Sequence, residues 1–375
     1  MTLFSKISSE QWQTIEELAE SSKDLIRELQ DRSGAYPASP TFSAYKGFSW
    51  FRDGAFIADG MSSAGAYDSS EMFFVWCAQT IEPLHERIQQ HYERFLSGEP
   101  FDTSQALPTR YAFNQVEEPD EPWPDHQIDG YGTWIWALEQ HSLRSGMDVT
   151  SFAEAVTFSV KYLLASWNSP CYDWWEENND RVHVATLGSV LSGMRSAISL
   201  NFLDQEMGDR AAKAVLDIES MLRRMSPDGH LPKWEGSQQV DSSTLSLLAP
   251  LNVIDKKDPI YRGTVSRIRR DLLQGVGVHR YASDTFFGGG LWPLLSCYLA
   301  LSELRVGNRD FAEETLVWVA SLADADNHLP EQVNDHLVNP SFEEYWVNRW
   351  GPSARPLLWT HAMFLKLKSE LERAR

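Results

Sequence analysis

What most restricts the fold is an alternation between two kinds of helical segment. One kind is amphipathic. From Asp204 through Met225, apolar residues recur every three or four positions and polar residues fill the remaining face. The other kind is apolar nearly all round, most clearly from Leu291 to Leu301. A helix with an apolar stripe lies on the outside of a fold, whereas one that is apolar on every side must be covered on every side. Strand-like alternation is nearly absent. Helix periods fall at 9–29, where Ser8 and Gln11 form a capping-box start, and from 51 toward 66. They continue at 69–96 (with a kink at Pro83), 128–144, 150–167, 184–202, 204–225, 242–251, 259–273, 289–306, 309–323 and 353–373. About twelve helices that alternate outer and inner predict an all-α, (α/α)6 toroid, a double ring of six and six. An α-solenoid is the other architecture considered, and it would need a more regular repeat. No Ser/Pro/Gly linker or charge block divides the chain, so a single unit over 1–375 is expected.

The uncommon residues gather in the segments before the inner helices. They are Trp50-Phe51-Arg52-Asp53, Trp123-Pro124-Asp125-His126-Gln127-Ile128-Asp129 and Cys171-Tyr172-Asp173-Trp174-Trp175-Glu176-Glu177-Asn178. The set continues with Lys233-Trp234-Glu235, Arg280 to Gly290, and His328 to Val333 with Tyr345 to Trp350. In a double ring every outer-to-inner connection emerges on one face, so these six segments converge on one mouth. Indole faces stack on the apolar faces of sugar rings, and carboxylates and amides bond sugar hydroxyls. A carboxyl pressed against indoles also has its pKa raised, as a general acid requires. A plain helix start with acidic residues near the dipole would explain any one such segment, but not their convergence.

Charge and cysteine content narrow the classes further. A formal net charge of -20 disfavours nucleic acid and anionic membranes and suits a small neutral partner. Cys77, Cys171 and Cys297 are far apart and form neither a zinc pattern nor a disulfide framework. The first residues lack the apolar core of a secretory leader and no run is long enough to span a membrane, so a cytoplasmic location is expected. Asp324, Asp326 and Asn327 lack the glycine and terminal glutamate of a calcium loop. His126, His279, His328 and His361 share no ligand spacing, so neither metal nor cofactor is expected. Gly288-Gly289-Gly290 follows no strand, which argues against a dinucleotide motif. The oligomeric state is left open.

Taken together, Trp50-x-Arg52-Asp53, Gln127-x-Asp129-Gly130, Trp175-Glu176-Glu177, Arg280-Tyr281-x-x-Asp284, Leu329-Pro330-Glu331-Gln332 and Leu358-Trp359-Thr360-His361-Ala362 resemble glycoside hydrolase family 15, and they come in that family's order. The resemblance covers most of the chain beyond Tyr45. It implies a toroid and an inverting, exo-acting release of glucose from α-glucosides. It also implies Glu176 as general acid and Glu331 as general base. The implied grip on substrate comes from Arg52, Asp53, Trp50, Tyr45, Trp123, Gln127, Asp129, Trp175, Glu177, Arg280, Phe286 and Trp350. For inversion the two carboxyls should stand about 6.5–9.5 Å apart, leaving room for water. Phe286 stands where the family often has tyrosine, and Tyr45 lies one residue further from Trp50 than the family pattern allows. No polymer-binding module accompanies the catalytic segments. Bulky Trp123, Trp174, Trp234, Trp346 and Trp350 should narrow the rim. The expected substrate is therefore isomaltose or a short isomalto-oligosaccharide. Other readings are an α-1,4-preferring glucoamylase, a glucodextranase or a trehalose-cleaving relative of the same family, a sugar epimerase or isomerase on the same toroid, and a non-catalytic sugar-binding protein.

Overall fold

A computed structural model describes residues 6–113 and 123–374. The expectation of no leader rests partly on residues 1–5, which lie outside the described residues. Thirteen α-helices are described: α1 (Ser9–Leu29), α2 (Phe51–Ser63), α3 (Tyr67–Ile81), α4 (His85–Leu96), α5 (Asp129–Ser145), α6 (Ala153–Ser166) and α7 (Val184–Leu200), then α8 (Gln205–Met225), α9 (Pro259–Asp271), α10 (Pro293–Arg305), α11 (Arg309–Ser321), α12 (Glu343–Trp350) and α13 (Leu358–Arg373). Two small antiparallel pairs complete the structure. β1 (Phe48–Trp50) pairs with β2 (Arg110–Ala112), and β3 (Leu273–Gln274) with β4 (Gly277–Val278).

The helices close into two rings. In the inner ring α2 packs on α5, α5 on α7, α7 on the 3₁₀ segment Ser242–Leu247, that segment on α10, α10 on α13, and α13 again on α2. Helices α1, α3 with α4, α6, α8, α9 and α11 lie outside. Burial follows the two sequence patterns. Every residue of α2 is buried. In α8 only Met207, Ala211, Ala214, Ile218, Leu222 and Met225 are, which is one stripe at helical spacing. The chain is thus the (α/α)6 toroid expected.

Several boundaries differ from the expected ones, each for a local reason. The 69–96 segment breaks at Pro83 into α3, a 3₁₀ turn Glu82–Leu84 and α4. The expected helix at 242–251 is only the 3₁₀ segment Ser242–Leu247. There Thr244 Oγ1 and Ser246 Oγ bond to the Asp241 and Ser243 carbonyls, and Pro250 disfavours helix at Ala249. Helix α10 starts at Pro293 rather than 289, because Gly288 and Gly289 have φ of 79° and 72°. Helix α13 starts at Leu358, beyond Pro356, and α12 forms within the stretch read as a loop.

The inner helices touch at backbone level. A Cβ on Gly193 of α7 would sit 2.5 Å from Gly132 Cα of α5, and one on Gly132 would sit 2.3 Å from the Ser189 carbonyl. A backbone neighbour cannot rotate aside. Gly193→Ala should therefore lower stability by about 1–3 kcal/mol. By contrast, Gly208→Ala on outer α8, where nothing lies within 4 Å, should raise it by about 0.5–1 kcal/mol. Urea unfolding of the two variants checks both signs.

Candidate active site

The first turn of α2 supplies one wall of the site. The β1–β2 pairing places Trp50 opposite Arg110, so the chain enters α2 with Trp50, Arg52 and Asp53 at the inner-ring mouth. Arg52 Nη1 donates to Gln127 Oε1 at 2.7 Å and to Asp129 Oδ2 at 3.1 Å, and Nη2 lies 3.3 Å from Asp53 Oδ2. Burial works against the charge of Arg52, but Asp129 and Asp53 hold its pKa above the usual value. Asp53 is pushed up to about 6 by burial, with Arg52 opposing.

The segment before α7 forms a tight turn around Asp173. Its Oδ1 accepts the backbone N–H groups of Trp175 and Glu177, both at 2.9 Å, and Glu176 N–H donates to the Asp173 carbonyl at 3.0 Å. This geometry holds Glu176 at φ 64°, a left-handed conformation uncommon for a residue with a side chain. Glu176 Oε1 accepts the indole N–H of Trp123 at 2.8 Å and of Trp50 at 3.0 Å. Burial pushes Glu176 up to about 7, against the pull of Arg52. Glu177 accepts from the Tyr281 hydroxyl at 2.5 Å and lies 3.8 Å from Arg280, which is itself paired with Asp284. Buried Lys233 stands behind the turn, 3.5 Å from Asp173 and 3.1 Å from Asp241, and Asp241 in turn accepts the Trp175 indole N–H at 2.9 Å.

Glu331 faces the same space from the segment between α11 and α12. Its Oε1 accepts from the Tyr45 hydroxyl and its Oε2 from the Ser353 hydroxyl, both at 3.1 Å. Burial pushes it up to about 7 as well. The Tyr45 ring packs edge-on against Trp50, with centroids 5.6 Å apart, so the chain Glu331–Tyr45–Trp50–Glu176 links the two carboxyl groups.

These groups line a cavity of about 420 Å³. Among the residues expected there, Tyr45, Trp50, Arg52, Asp53, Trp123, Trp175, Glu176, Glu177, Arg280, Phe286, Glu331 and Trp350 line it. Gln127 and Asp129 do not; they sit one layer back and hold Arg52. Tyr45 reaches the cavity despite its displaced position in the sequence. Of the expected rim tryptophans, Trp234 packs instead against His183, and Trp174 forms floor rather than rim. The lining also includes Trp292, Arg349 and Trp359, which sequence reasoning did not assign to the site. Trp359 lies within a motif already singled out. Asp173 lies within a segment already singled out but without its turn-forming role, and Ser353 carries no pattern that would have marked it.

The floor is closed. Phe56 stacks on Trp359 with centroids 5.2 Å apart and packs against Trp174 and Tyr298. Arg52 Nε, Asp53 Oδ2, Trp174 Nε1, Trp292 Nε1 and Trp346 Nε1 are buried without a hydrogen-bond partner among the described residues. Each belongs to a lining residue. Among the described residues, no group of His, Cys, Asp or Glu is arranged to hold a metal ion, and no helix is long and apolar enough to cross a membrane. All three cysteines are free and buried.

Residues 16–335 match the family Glycosyl hydrolases family 15. The chain belongs to this family. It is therefore a glycoside hydrolase. It is 38% identical to the isomaltose glucohydrolase of Kribbella flavida over 97% of this chain and 95% of that protein. It is 27% identical to a trehalase of Thermoplasma volcanium over 78% of this chain and 49% of that one. A solved glycosidase in complex with glucose superposes with a TM-score of 0.93 at 38% identity, covering 97% of this chain and 99% of that one.

The raised carboxyl pKa values have a consequence for stability. Glu176 ionises near 7 in the folded chain and near its ordinary 4.5 once unfolded, so folding favours its protonated form. Its contribution is complete below about pH 4.5 and is lost as pH rises through about 7. Glu176→Gln keeps an oxygen for the two indoles and cannot ionise. Relative to the parent it should gain about 1–3 kcal/mol at pH 8 and nothing at pH 4.5. Parallel unfolding curves at the two pH values would show the difference.

Proposed function

We propose that the chain hydrolyses α-glucosides from their non-reducing ends with inversion, acting as one catalytic unit, and that isomaltose or short isomalto-oligosaccharides are its preferred substrates. The observation that carries this reading is the pair of buried carboxyls, Glu176 and Glu331, held differently around one blind cavity. Both donors to Glu176 fall on Oε1. An indole N–H can only donate, so that oxygen accepts and Oε2 is left to carry the proton toward a glycosidic oxygen. Glu331 uses both oxygens as acceptors, as an ionised base does. Glu176 is thus assigned as general acid, and Glu331 as the base that takes a proton from water attacking the anomeric carbon from the opposite side.

The remaining lining fits a terminal glucose. Arg52 and Asp53 bring charged groups to the lining, and Trp50, Trp175 and Trp174 bring indole rings. A floor closed by Phe56 and Trp359 lets a chain end enter but not thread through, which favours exo action. Trp346, Arg349 and Trp350 stand where the second sugar would lie and narrow that end. The likeness to an isomaltose glucohydrolase over nearly the whole of both chains supports the α-1,6 preference. The more distant trehalase likeness makes trehalose the comparison substrate to include.

Three outcomes are expected. Early in turnover of isomaltose, proton NMR should detect β-glucose before α-glucose; α-glucose first would reject the inverting pair. Catalytic efficiency should rank isomaltose above maltose and trehalose and decline as isomalto-oligosaccharides lengthen. Glu176→Gln and Glu331→Gln should each lower kcat by roughly 10²–10⁴-fold on every substrate. A higher efficiency on maltose would change the specificity assigned here and leave the two carboxyl roles standing.

A further inference from the structure

The motif Leu358-Trp359-Thr360-His361-Ala362 contains a histidine that touches neither the cavity nor a charged partner. His361 is fully buried at 0% exposure. Its Nε2 receives the backbone N–H of Leu329 at 2.9 Å, and its Nδ1 lies 2.8 Å from Ser22 Oγ. A peptide N–H can only donate, so Nε2 is the unprotonated nitrogen, and Nδ1–H donates to Ser22. The ring is therefore neutral with a single tautomer, and burial pushes its pKa down to about 3.

The residue it holds begins the segment that carries Glu331. Every backbone polar group from the Leu329 amide to the Glu331 amide is tied to the chain around the start of α13. The Leu329 amide bonds His361, the Leu329 carbonyl accepts Leu357 N–H at 3.0 Å, the Pro330 carbonyl accepts Thr360 Oγ1 at 2.9 Å, and Glu331 N–H donates to the Ala354 carbonyl at 2.9 Å. Of these contacts, only the imidazole also reaches outer helix α1, through Ser22. Helix α1 also meets this segment further upstream, where Asn327 Nδ2 donates to Ser21 Oγ at 3.1 Å, but the imidazole is the contact that lands on Leu329, two residues before Glu331.

We infer that His361 is a positioning residue for Glu331: its neutral imidazole, oriented by Ser22, fixes the Leu329 amide and so sets where the carboxylate stands over the attacking water. Displacement of a reacting group by about 1 Å can reduce rate by roughly 10²-fold while leaving binding groups in place. Neither Arg52 nor Asp53 touches this segment. Loss of the imidazole acceptor consequently acts on kcat and not on KM. The inference rests on the assignment of Glu331 as base.

Three variants test it with isomaltose as substrate: His361→Leu, His361→Gln and Ser22→Ala. Leucine removes the acceptor and should lower kcat by roughly 10–100-fold with KM within about threefold. Glutamine can place an oxygen near the lost Nε2 and should recover most of that loss. Ser22→Ala leaves the acceptor but orphans Nδ1–H, and a smaller fall in kcat is expected, so this variant decides the matter should the leucine variant not fold. The discriminating readout is a double-mutant cycle with Glu331→Ala, with azide supplied as an external nucleophile. Azide attacks the anomeric carbon, the glycosidic C–O bond breaks, and Glu176 supplies the proton to the leaving oxygen, giving β-glucosyl azide without need of Glu331. In that background His361→Leu should cost nothing further. Equal losses in both backgrounds, or a folded His361→Leu with parental kcat, would overturn the positioning role. A parental rate in Glu331→Gln would overturn the base assignment instead, so the two failures can be told apart.

Discussion

The structure depends on a helix that has no solvent face. With all of α2 buried, neighbours must surround it, and a closed inner ring enclosed by an outer one meets that requirement. The ring is drawn together where Asp59 of α2 meets Arg144 of α5 and Lys366 of α13. Both cations come from other inner helices, so one buried carboxylate joins three neighbours. The parallel arrangement follows from the outer return segments and sorts charge by end. Asp53 lies in the first turn of α2 at the cavity and Asp129 in the first turn of α5 one layer behind it, while Arg144, Arg305 and Arg373 lie in the last turns of α5, α10 and α13 and line a second cavity at the opposite end. That distribution suits helix dipoles, which favour anions at N-termini and cations at C-termini. It also accounts for the basic far cavity without a ligand.

The mouth takes on what the helix starts give up. Outer helices α1, α8, α9 and α11 have side-chain caps from Ser8, Asp204, Asp258 and Asn308. Inner helices α2, α5, α7, α10 and α13 have none, nor do outer α3, α4 and α6, whereas the inner 3₁₀ segment Ser242–Leu247 is capped by Asp241. Trp50, His183 and Trp292 occupy cap positions on three of those inner helices, and both tryptophans line the cavity. A missing cap costs about 0.5–2 kcal/mol, and the carboxyls pushed up to about 7 cost more above neutrality. The deep burial of the inner helices offsets both.

What could be read in the sequence was what depends on periodicity or on unusual residues brought together by topology. The stripe of α8 and the all-round apolarity of α10 gave the two layers, and the convergence of the inner-helix entries placed most of the site. What could not be read depends on short-range competition or on layering. Ser243, Thr244 and Ser246 are compatible with a helix until their hydroxyls are seen bonded back to the chain ahead of Pro250. Gln127 and Asp129 have the composition of contact residues, but α5 sets them one layer behind Arg52, a depth that residue type does not encode. Glu176 has a left-handed φ because Asp173 gathers the amides on either side of it, and a turn of that kind leaves no trace in hydropathy.

The two halves of the proposed chemistry are anchored in different ways, and this bears on how the site could vary. The acid is fixed by a turn and by indoles from two other segments, and the base by backbone bonds to the start of α13. Neither relies on α12, where no residue is buried. Trp346 and Trp350 lean over the cavity from that helix through ring contacts with Phe286, Phe287 and Phe42. Arg349 lies across both indoles. Aromatic contacts of this kind tolerate re-packing more readily than buried polar bonds, because they lose area gradually and leave no donor unpaired. Substrate length and linkage on the leaving-group side can therefore change through α12 and its approach without disturbing Glu176 or Glu331. The end proposed to hold the terminal glucose has no such freedom. A neutral residue in place of Arg52 would leave Gln127, Asp129 and Asp53 facing one another with no cation among them.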